Sequence, residues 1–114
     1  MQNYDLYNNL QSKIRDLEIS VKMLRTTGRE YAEAYTSYRV ELAKELLRLK
    51  DDGMAVTLAY DIARGKPSIA KLKLEELTKE AIYKANQESI NSLKLQIKII
   101  ESQISREWST PTSD

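Results

Sequence analysis

Residues 6–24 have the sequence LYNNLQSKIRDLEISVKML, in which an apolar residue recurs every three or four positions. The steps average close to 3.5 residues, which is the repeat of a coiled coil. No proline interrupts the pattern, and Gly53 is placed to adopt the left-handed conformation just after a helix end. The pattern therefore predicts one helix over about 3–50. Its expected inward-facing residues are Leu6, Leu10, Ile14, Leu17, Val21, Leu24, Gly28, Tyr31, Tyr35, Tyr38, Leu42, Leu46 and Leu49.

The second half of the chain predicts two more helices. An apolar face at Met54, Leu58 and Ile62 indicates a short helix over about 54–64, and Pro67 suits the first turn of another. That last helix is expected over about 67–108, followed by a flexible polar tail at 109–114. Its predicted seam consists of Leu72, Asn86, Ile90, Leu93, Ile97, Ile100, Ile104 and Trp108, beside a stripe of Leu74, Leu77, Ala81 and Ala85.

The two long seams predict how the helices pair. A compact connection forces them to run antiparallel, and six successive layers then match in register. The predicted pairs run from Leu6 with Trp108 to Leu24 with Ile90, and continue as Gly28 with Asn86 and Tyr31 with Tyr83.

The predicted fold class is all-α: a long antiparallel helical hairpin, forming a coiled-coil stalk, with a short third helix at the connection. Past Tyr83 the seam meets Lys79 and Glu76, so the stripe with Leu74 and Leu77 is expected to take over there. The short helix is expected to pack at that end. Residues 1–108 are predicted to form a single domain.

Composition excludes several classes of protein. The 114 residues include no Cys and no His, so the sequence offers no disulfide, no thiolate and no imidazole base or metal ligand. Its carboxylates mostly have a basic partner one helical turn away, as in ordinary surface pairing. We therefore expect no enzyme activity, no catalytic residues, no metal and no cofactor.

The same composition bears on location and assembly. No apolar run approaches the ~18 residues of a membrane span, and no signal peptide is recognisable, so we expect a cytoplasmic protein without a membrane partner. A lone two-helix hairpin buries little surface for its size. Since Ile19, Leu95 and Ile99 lie beside the main seams, we expect a homodimer or higher oligomer.

Tyrosines dominate the candidate binding residues, with 7 Tyr and no Phe in the chain. An aromatic ring with a polar tip suits a protein interface. Core packing where the short helix meets the long ones is the simpler explanation of the same residues, and stacked rings near Arg29, Arg39 or Arg64 could also hold a nucleotide. The predicted partner-binding residues are Tyr31, Tyr35, Tyr38, Tyr60, Arg64 and Lys66.

A basic run supplies an alternative site. No acidic residue lies between Asp61 and Glu75, and the cations in that interval are Arg64, Lys66, Lys71 and Lys73. Such a patch can contact phosphates of a nucleic acid. The run also fits a solvated helix face, because glutamates follow at once and no nucleic-acid-binding motif is present.

Two stretches carry a resemblance to a known group of proteins. Residues 83–95, YKANQESINSLKL, continuing to SREW at 105–108, resemble the C-terminal helix of small uncharacterised proteins encoded by tailed phages and prophages of Gram-positive bacteria. Residues 58–65, LAYDIARG, resemble the same group. The resemblance covers most of the chain and supplies no active site. It implies a small early phage protein, encoded near replication and recombination genes, that acts as an accessory factor or inhibits a host protein.

Together these features predict a non-enzymatic interaction protein that self-associates and binds a host or phage protein. In a phage setting it would inhibit a host defence or replication factor from within the host cytoplasm. One alternative is a nucleic-acid accessory protein of a phage replication or recombination module. Another is a sponge for a small ligand such as a nucleotide.

Overall fold

The computed structural model describes the backbone of residues 2–109 and the side chains of residues 4–109. It contains three helices: α1 (Gln2–Asp51), α2 (Val56–Gly65) and α3 (Pro67–Ser109), and the described residues form no strand. The predicted fold class is confirmed: the chain is an all-α helical hairpin with a short third helix at the connection. Helix ends lie within two residues of the predicted ones. The predicted tail falls almost wholly outside the described residues, with Ser109 still helical.

The end of α1 is set by a glycine. Gly53 has a φ of 87°, a left-handed conformation that costs glycine little because it has no Cβ. Its N–H donates to the Lys50 carbonyl at 2.9 Å, and the Met54 N–H donates to the Leu49 carbonyl at 3.1 Å. These two bonds form a Schellman motif. Met54 then packs against the core that contains Leu49, which turns the chain back over α1.

The junction between α2 and α3 is equally short. Lys66 is extended, with φ −64° and ψ 127°, as expected of a residue that precedes proline. Pro67 opens α3 as predicted, because its missing N–H would have no partner in the first turn of a helix.

The chain divides into two compact units. The three-helix unit is Thr26–Lys84, which contains the end of α1, all of α2 and the start of α3. In its core, Ala59 and Ala63 of α2 are 0% exposed, so small residues allow α2 to approach closely. The rest of this core consists of Tyr38, Leu42, Leu49 and Ile69, with Leu46, Met54 and Leu72 packed against it.

The two-helix unit comprises α1 up to Arg25 and α3 from Ala85. Ile90, Leu93 and Ile100 of α3 are buried there, as predicted, while the α1 leucines are half-buried. Two residues predicted for its seam are exposed: Val21, and Trp108 at 77% exposure. Trp108 therefore does not close the end of a buried seam.

Within the two-helix unit, the polar contacts lie about one helical turn away from the predicted register. In the two-helix unit the Ser20 hydroxyl lies 3.5 Å from that of Ser89, and the Ser20 carbonyl accepts a 3.0 Å hydrogen bond from the Asn86 amide. The predicted register instead set Val21, the next residue, opposite Leu93. Matching apolar residues alone gave the wrong offset because polar pairs of this kind also fix which residues meet.

Past Tyr83, the predicted change of stripe on α3 is wrong. Leu74, Leu77 and Ala81 are exposed, whereas Glu76 is buried. The core between α1 and α3 stays apolar at Ile69 and Leu72, and polar contacts join the two helices farther along α3. Tyr31 donates to Glu80 at 2.7 Å, and Lys79 pairs with Glu30 at 3.4 Å.

Within the part of the chain that the structure describes, no helix has a segment long and apolar enough to cross a membrane.

Candidate functional site

An open groove lies on the three-helix unit and draws residues from all three helices. Its volume is about 630 Å³. The lining residues are Tyr38, Arg39, Leu42, Ala43, Leu46, Tyr60, Arg64, Ala70 and Lys73. We call it the three-helix groove. Three of these residues are cationic, four are aliphatic, and none of the described residues that line it is acidic.

Each cation of the groove lies near a tyrosine ring. The Arg64 guanidinium carbon is 5.0 Å from the centre of the Tyr60 ring, and the Lys73 ammonium is 4.8 Å from that of Tyr38. Both distances are short enough for cation–π interactions. Such an interaction orients the charged group but does not neutralise its charge. The Arg39 guanidinium carbon lies 6.0 Å from the Tyr35 ring.

The three cations differ in how much charge they offer to a ligand. Lys73 pairs with buried Glu76 at 2.7 Å, and this hydrogen bond raises the pKa of the Lys73 ammonium. Among the described residues, neither Arg39 nor Arg64 forms an ion pair. The two arginines are therefore the groups in the groove that can form new bidentate bonds with a carboxylate or phosphate.

The groove brings together three of the six predicted partner-binding residues: Tyr38, Tyr60 and Arg64. Tyr38 is largely buried and serves as both core and groove wall, so the two interpretations of this residue do not exclude each other. Tyr35 is exposed and does not line the groove. It contacts the groove only through Arg39, which lines the groove and lies near the Tyr35 ring.

Tyr31 and Lys66 have other roles. The Tyr31 ring lies 6.0 Å from the Tyr83 ring, as the predicted pairing required, and its hydroxyl donates to Glu80. That hydrogen bond raises the pKa of Tyr31 and lowers that of Glu80. Lys66 pairs with Glu45 at 3.0 Å and so ties the start of α3 to α1.

Glu45 is the most strongly perturbed carboxylate. It is buried and accepts hydrogen bonds from Arg48 and Lys66, and these lower its pKa from 4.5 to about 2, with Arg48 the larger cause. The Arg48 pKa rises in return. Since both basic partners come from helix ends, this cluster holds the helix junctions together.

The basic run of α2 and α3 is only partly available for phosphate contacts. Lys66 and Lys73 each pair with a buried carboxylate, whereas Arg64 and Lys71 are exposed. The four cations are therefore not equally available to bind a phosphate. Among the described residues, no group of three or more His, Cys, Asp or Glu is placed to hold a metal ion.

Sequence reasoning did not place Arg39 among the partner-binding residues, and it did not predict the aliphatic floor of the groove. A signal existed, because Arg39, Leu42, Ala43 and Leu46 recur at steps of three and one along one side of α1. The position of α2, which supplies Tyr60 and Arg64, could not be read from periodicity.

No protein-family model matches the chain, and neither the curated proteins nor the solved structures provide a match. The phage resemblance stays a prediction, and the geometry of the groove carries the functional argument.

Proposed function

We propose that the chain is a non-enzymatic interaction protein of phage type that self-associates and binds a protein partner through the three-helix groove. The observation that carries the proposal is the lining of the groove, in which two arginines without an ion pair to any described residue, Arg39 and Arg64, flank an aliphatic floor that has no carboxylate among its described residues. An acidic segment of a protein that also presents an apolar side chain is complementary to such a lining.

The partner's chemistry follows from the two arginines. Arg39 and Arg64 offer planar, bidentate donors to carboxylates, while Leu42, Leu46 and Ala70 offer an apolar surface between them. In a phage setting, the partner would be a host defence or replication factor that the protein inhibits, or a phage recombination protein.

Exposed apolar residues support self-association. Among the described residues, no large side chain is fully buried, and Ile19, Leu95 and Ile99 are each at least half exposed. A helical hairpin that leaves these residues in water gains by covering them with a second copy.

Charge reversal in the groove tests the proposal. Tagged wild-type protein and the Arg39→Glu/Arg64→Glu variant are each incubated with lysate of a Gram-positive host, and retained proteins are compared. The proposal expects a protein that the wild type retains in a salt-sensitive way and that the variant loses.

Lys71→Glu is the matched control, because Lys71 is an exposed cation on α3 that does not line the groove. It should retain the partner. If wild type and the double variant retain the same proteins, or if purified nucleic acid is retained and no protein is, the proposal is wrong.

A second candidate function, a nucleotide sponge, is favoured by one specific observation. The groove volume of about 630 Å³ falls in the range of small-molecule sites, and Arg64 lies against Tyr60 at its edge. Calorimetry with nucleotides and cyclic nucleotides tests this candidate. The wild-type protein should bind one of them, and Arg64→Glu should abolish that binding.

The nucleic-acid alternative has less support, because Lys66 and Lys73 are each neutralised by a buried carboxylate. It predicts that a gel-shift assay detects nucleic-acid binding, that the affinity falls steeply as the salt concentration rises, and that Lys71→Glu lowers the affinity. Absence of any shift at low salt would exclude it.

A further inference from the structure

The outward side of α3 in the two-helix unit carries a second heptad stripe. Its residues recur at alternating steps of four and three and are all exposed: Glu88, Ser92, Leu95, Ile99, Ser102 and Arg106. We call this the outer stripe. It lies on the side of α3 opposite the buried Ile90, Leu93 and Ile100, because two residues along a helix correspond to about 200°.

The centre of the outer stripe already has the shape of a coiled-coil socket. Leu95, Lys98, Ile99 and Ser102 stand at positions i, i+3, i+4 and i+7, the four residues that form the hole for a knob of a partner helix. In the structure they border a shallow depression of about 260 Å³, which Arg106 closes at one end. Leu95 is 60% exposed and Ile99 is 50% exposed, so both remain unpartnered in a single chain.

The outer stripe is complementary to itself when a second copy runs antiparallel. With the two-fold axis between Leu95 and Ile99, Leu95 of each copy enters the hole around Ile99 of the other. Ser92 then lies opposite Ser102, where two small residues allow close approach. At both ends Glu88 lies opposite Arg106, so opposite charges meet twice. Shifting the copies by one heptad instead sets Glu88 against Ile99 and removes this match.

We propose that the chain forms an antiparallel homodimer through the outer stripe of α3, with the two-fold axis beside residue 97. This inference deepens the self-association in the proposed function and rests on it. No residue of the outer stripe lines the three-helix groove.

The first test measures mass in solution. Sedimentation equilibrium of the full chain should give twice the chain mass of 13.2 kDa. Leu95→Glu/Ile99→Glu should give the monomer mass with unchanged helical circular dichroism. Leu74→Glu/Leu77→Glu is the matched control, since it charges two exposed leucines of the same helix outside the outer stripe and should stay dimeric.

The second test fixes the register by charge exchange. Glu88→Arg and Arg106→Glu should each raise the dimer Kd by about tenfold, because each turns two attractive pairs into repulsive ones. The double variant Glu88→Arg/Arg106→Glu should return close to the wild-type Kd. Lys94→Glu, an exposed charge reversal off the stripe, should leave the Kd unchanged.

Cysteines distinguish antiparallel from parallel pairing in a chain that has none of its own. Ser92→Cys/Ser102→Cys should form a covalent dimer under a mild oxidant such as diamide. Neither single variant should, because equivalent residues of the two copies would lie about 15 Å apart. Cross-linking of a single variant would overturn the antiparallel arrangement.

The outcomes separate this inference from the proposed function. A monomeric wild type would overturn the dimer and the self-association together, while leaving partner capture by the three-helix groove unaffected. A wild-type dimer that persists in Leu95→Glu/Ile99→Glu would overturn the outer stripe alone. Loss of partner capture with an intact dimer would overturn the proposed groove function alone.

Discussion

At the level of single residues, Gly28 is the one of the three glycines at which a Cβ would meet another side chain. A Cβ built at this position would lie 3.1 Å from a ring carbon of Tyr83. The sequence predicted that Gly28 faces the opposite helix, and it does, but its nearest side chain is Tyr83 and not Asn86. The missing side chain makes room for an aromatic ring, on which Tyr31 then packs.

Gly28→Leu should destabilise the protein by about 1–3 kcal/mol, because the added atoms overlap the Tyr83 ring and force it to move. Urea unfolding at fixed protein concentration measures the change. Gly65→Leu is the control, since nothing lies within 4 Å of a Cβ built at Gly65. The explanation fails if Gly28→Leu is as stable as wild type, or if Tyr83→Ala does not reduce the cost.

The ionisation of Glu45 makes the stability of the folded protein depend on pH. Its pKa is lowered from 4.5 to about 2 by hydrogen bonds from Arg48 and Lys66, so the folded state holds the ionised form more tightly than the unfolded state does. This contribution is complete above pH 4.5 and is lost as the pH falls toward 2.

Glu45→Gln should therefore have a lower Tm than wild type at pH 7, and the difference should shrink as the pH approaches 2. Thermal melts across this pH range, at one protein concentration, provide the measurement. Glu41→Gln, which alters an exposed carboxylate of the same helix, should show a smaller effect at pH 7. A Tm difference that stays constant with pH would contradict the role assigned to Glu45.

Residue identity alone could not decide which tyrosines are buried. Tyr35 and Tyr38 both fitted the predicted seam, yet Tyr38 is buried and Tyr35 is exposed. Ala34 lies nearer the seam than Tyr35 does. Tyr38 is buried together with Ala59 and Ala63 of α2, and an apolar repeat in α1 contains no information about where α2 packs.

At the scale of helices, the stop after α1 is the feature that sequence predicted best. Gly53 was expected to be left-handed, and the Schellman bonds form around it. The reason is local: the signal needs one glycine and the residues beside it, with no information from the rest of the fold.

Gly53→Ala should lower stability by about 1 kcal/mol, because a φ of 87° is unfavourable for a residue with a Cβ. Gly65→Ala serves as the control, since no left-handed conformation is required there. Equal unfolding free energies for the two variants would show that the α1 stop does not depend on the left-handed residue.

The third helix shows why apolar patterns mislead. In its first half Leu74 and Leu77 are exposed, while the inward side combines Ile69 and Leu72 with the charged residues Glu76 and Lys79. Glu76 is buried because Lys73 pairs with it, and Lys79 finds Glu30 on α1. A pattern of one chain segment cannot reveal that its charges have partners on another segment.

At the scale of the whole molecule, the fold class could be predicted from the sequence, while the register and the groove could not. Heptads determine that α1 and α3 pair. The offset between them depends on hydrogen bonds such as that from Asn86 to Ser20, and the groove depends on where Ala59 and Ala63 allow α2 to settle. Tyr60 and Arg64 were singled out by residue type, and the position of α2 places them on one groove with Arg39.

If a partner protein occupies the three-helix groove, photo-cross-linking from inside the groove should capture it. A photoreactive amino acid is placed at Ala43, inside the groove, or at Leu47, an exposed residue on the same helix that does not line it. After irradiation in a Gram-positive host, position 43 should give an adduct with a protein other than this chain, and the Arg39→Glu/Arg64→Glu background should abolish it. Equal adducts from both positions, or an adduct at position 43 only with nucleic acid or with a second copy of this chain, would contradict the account.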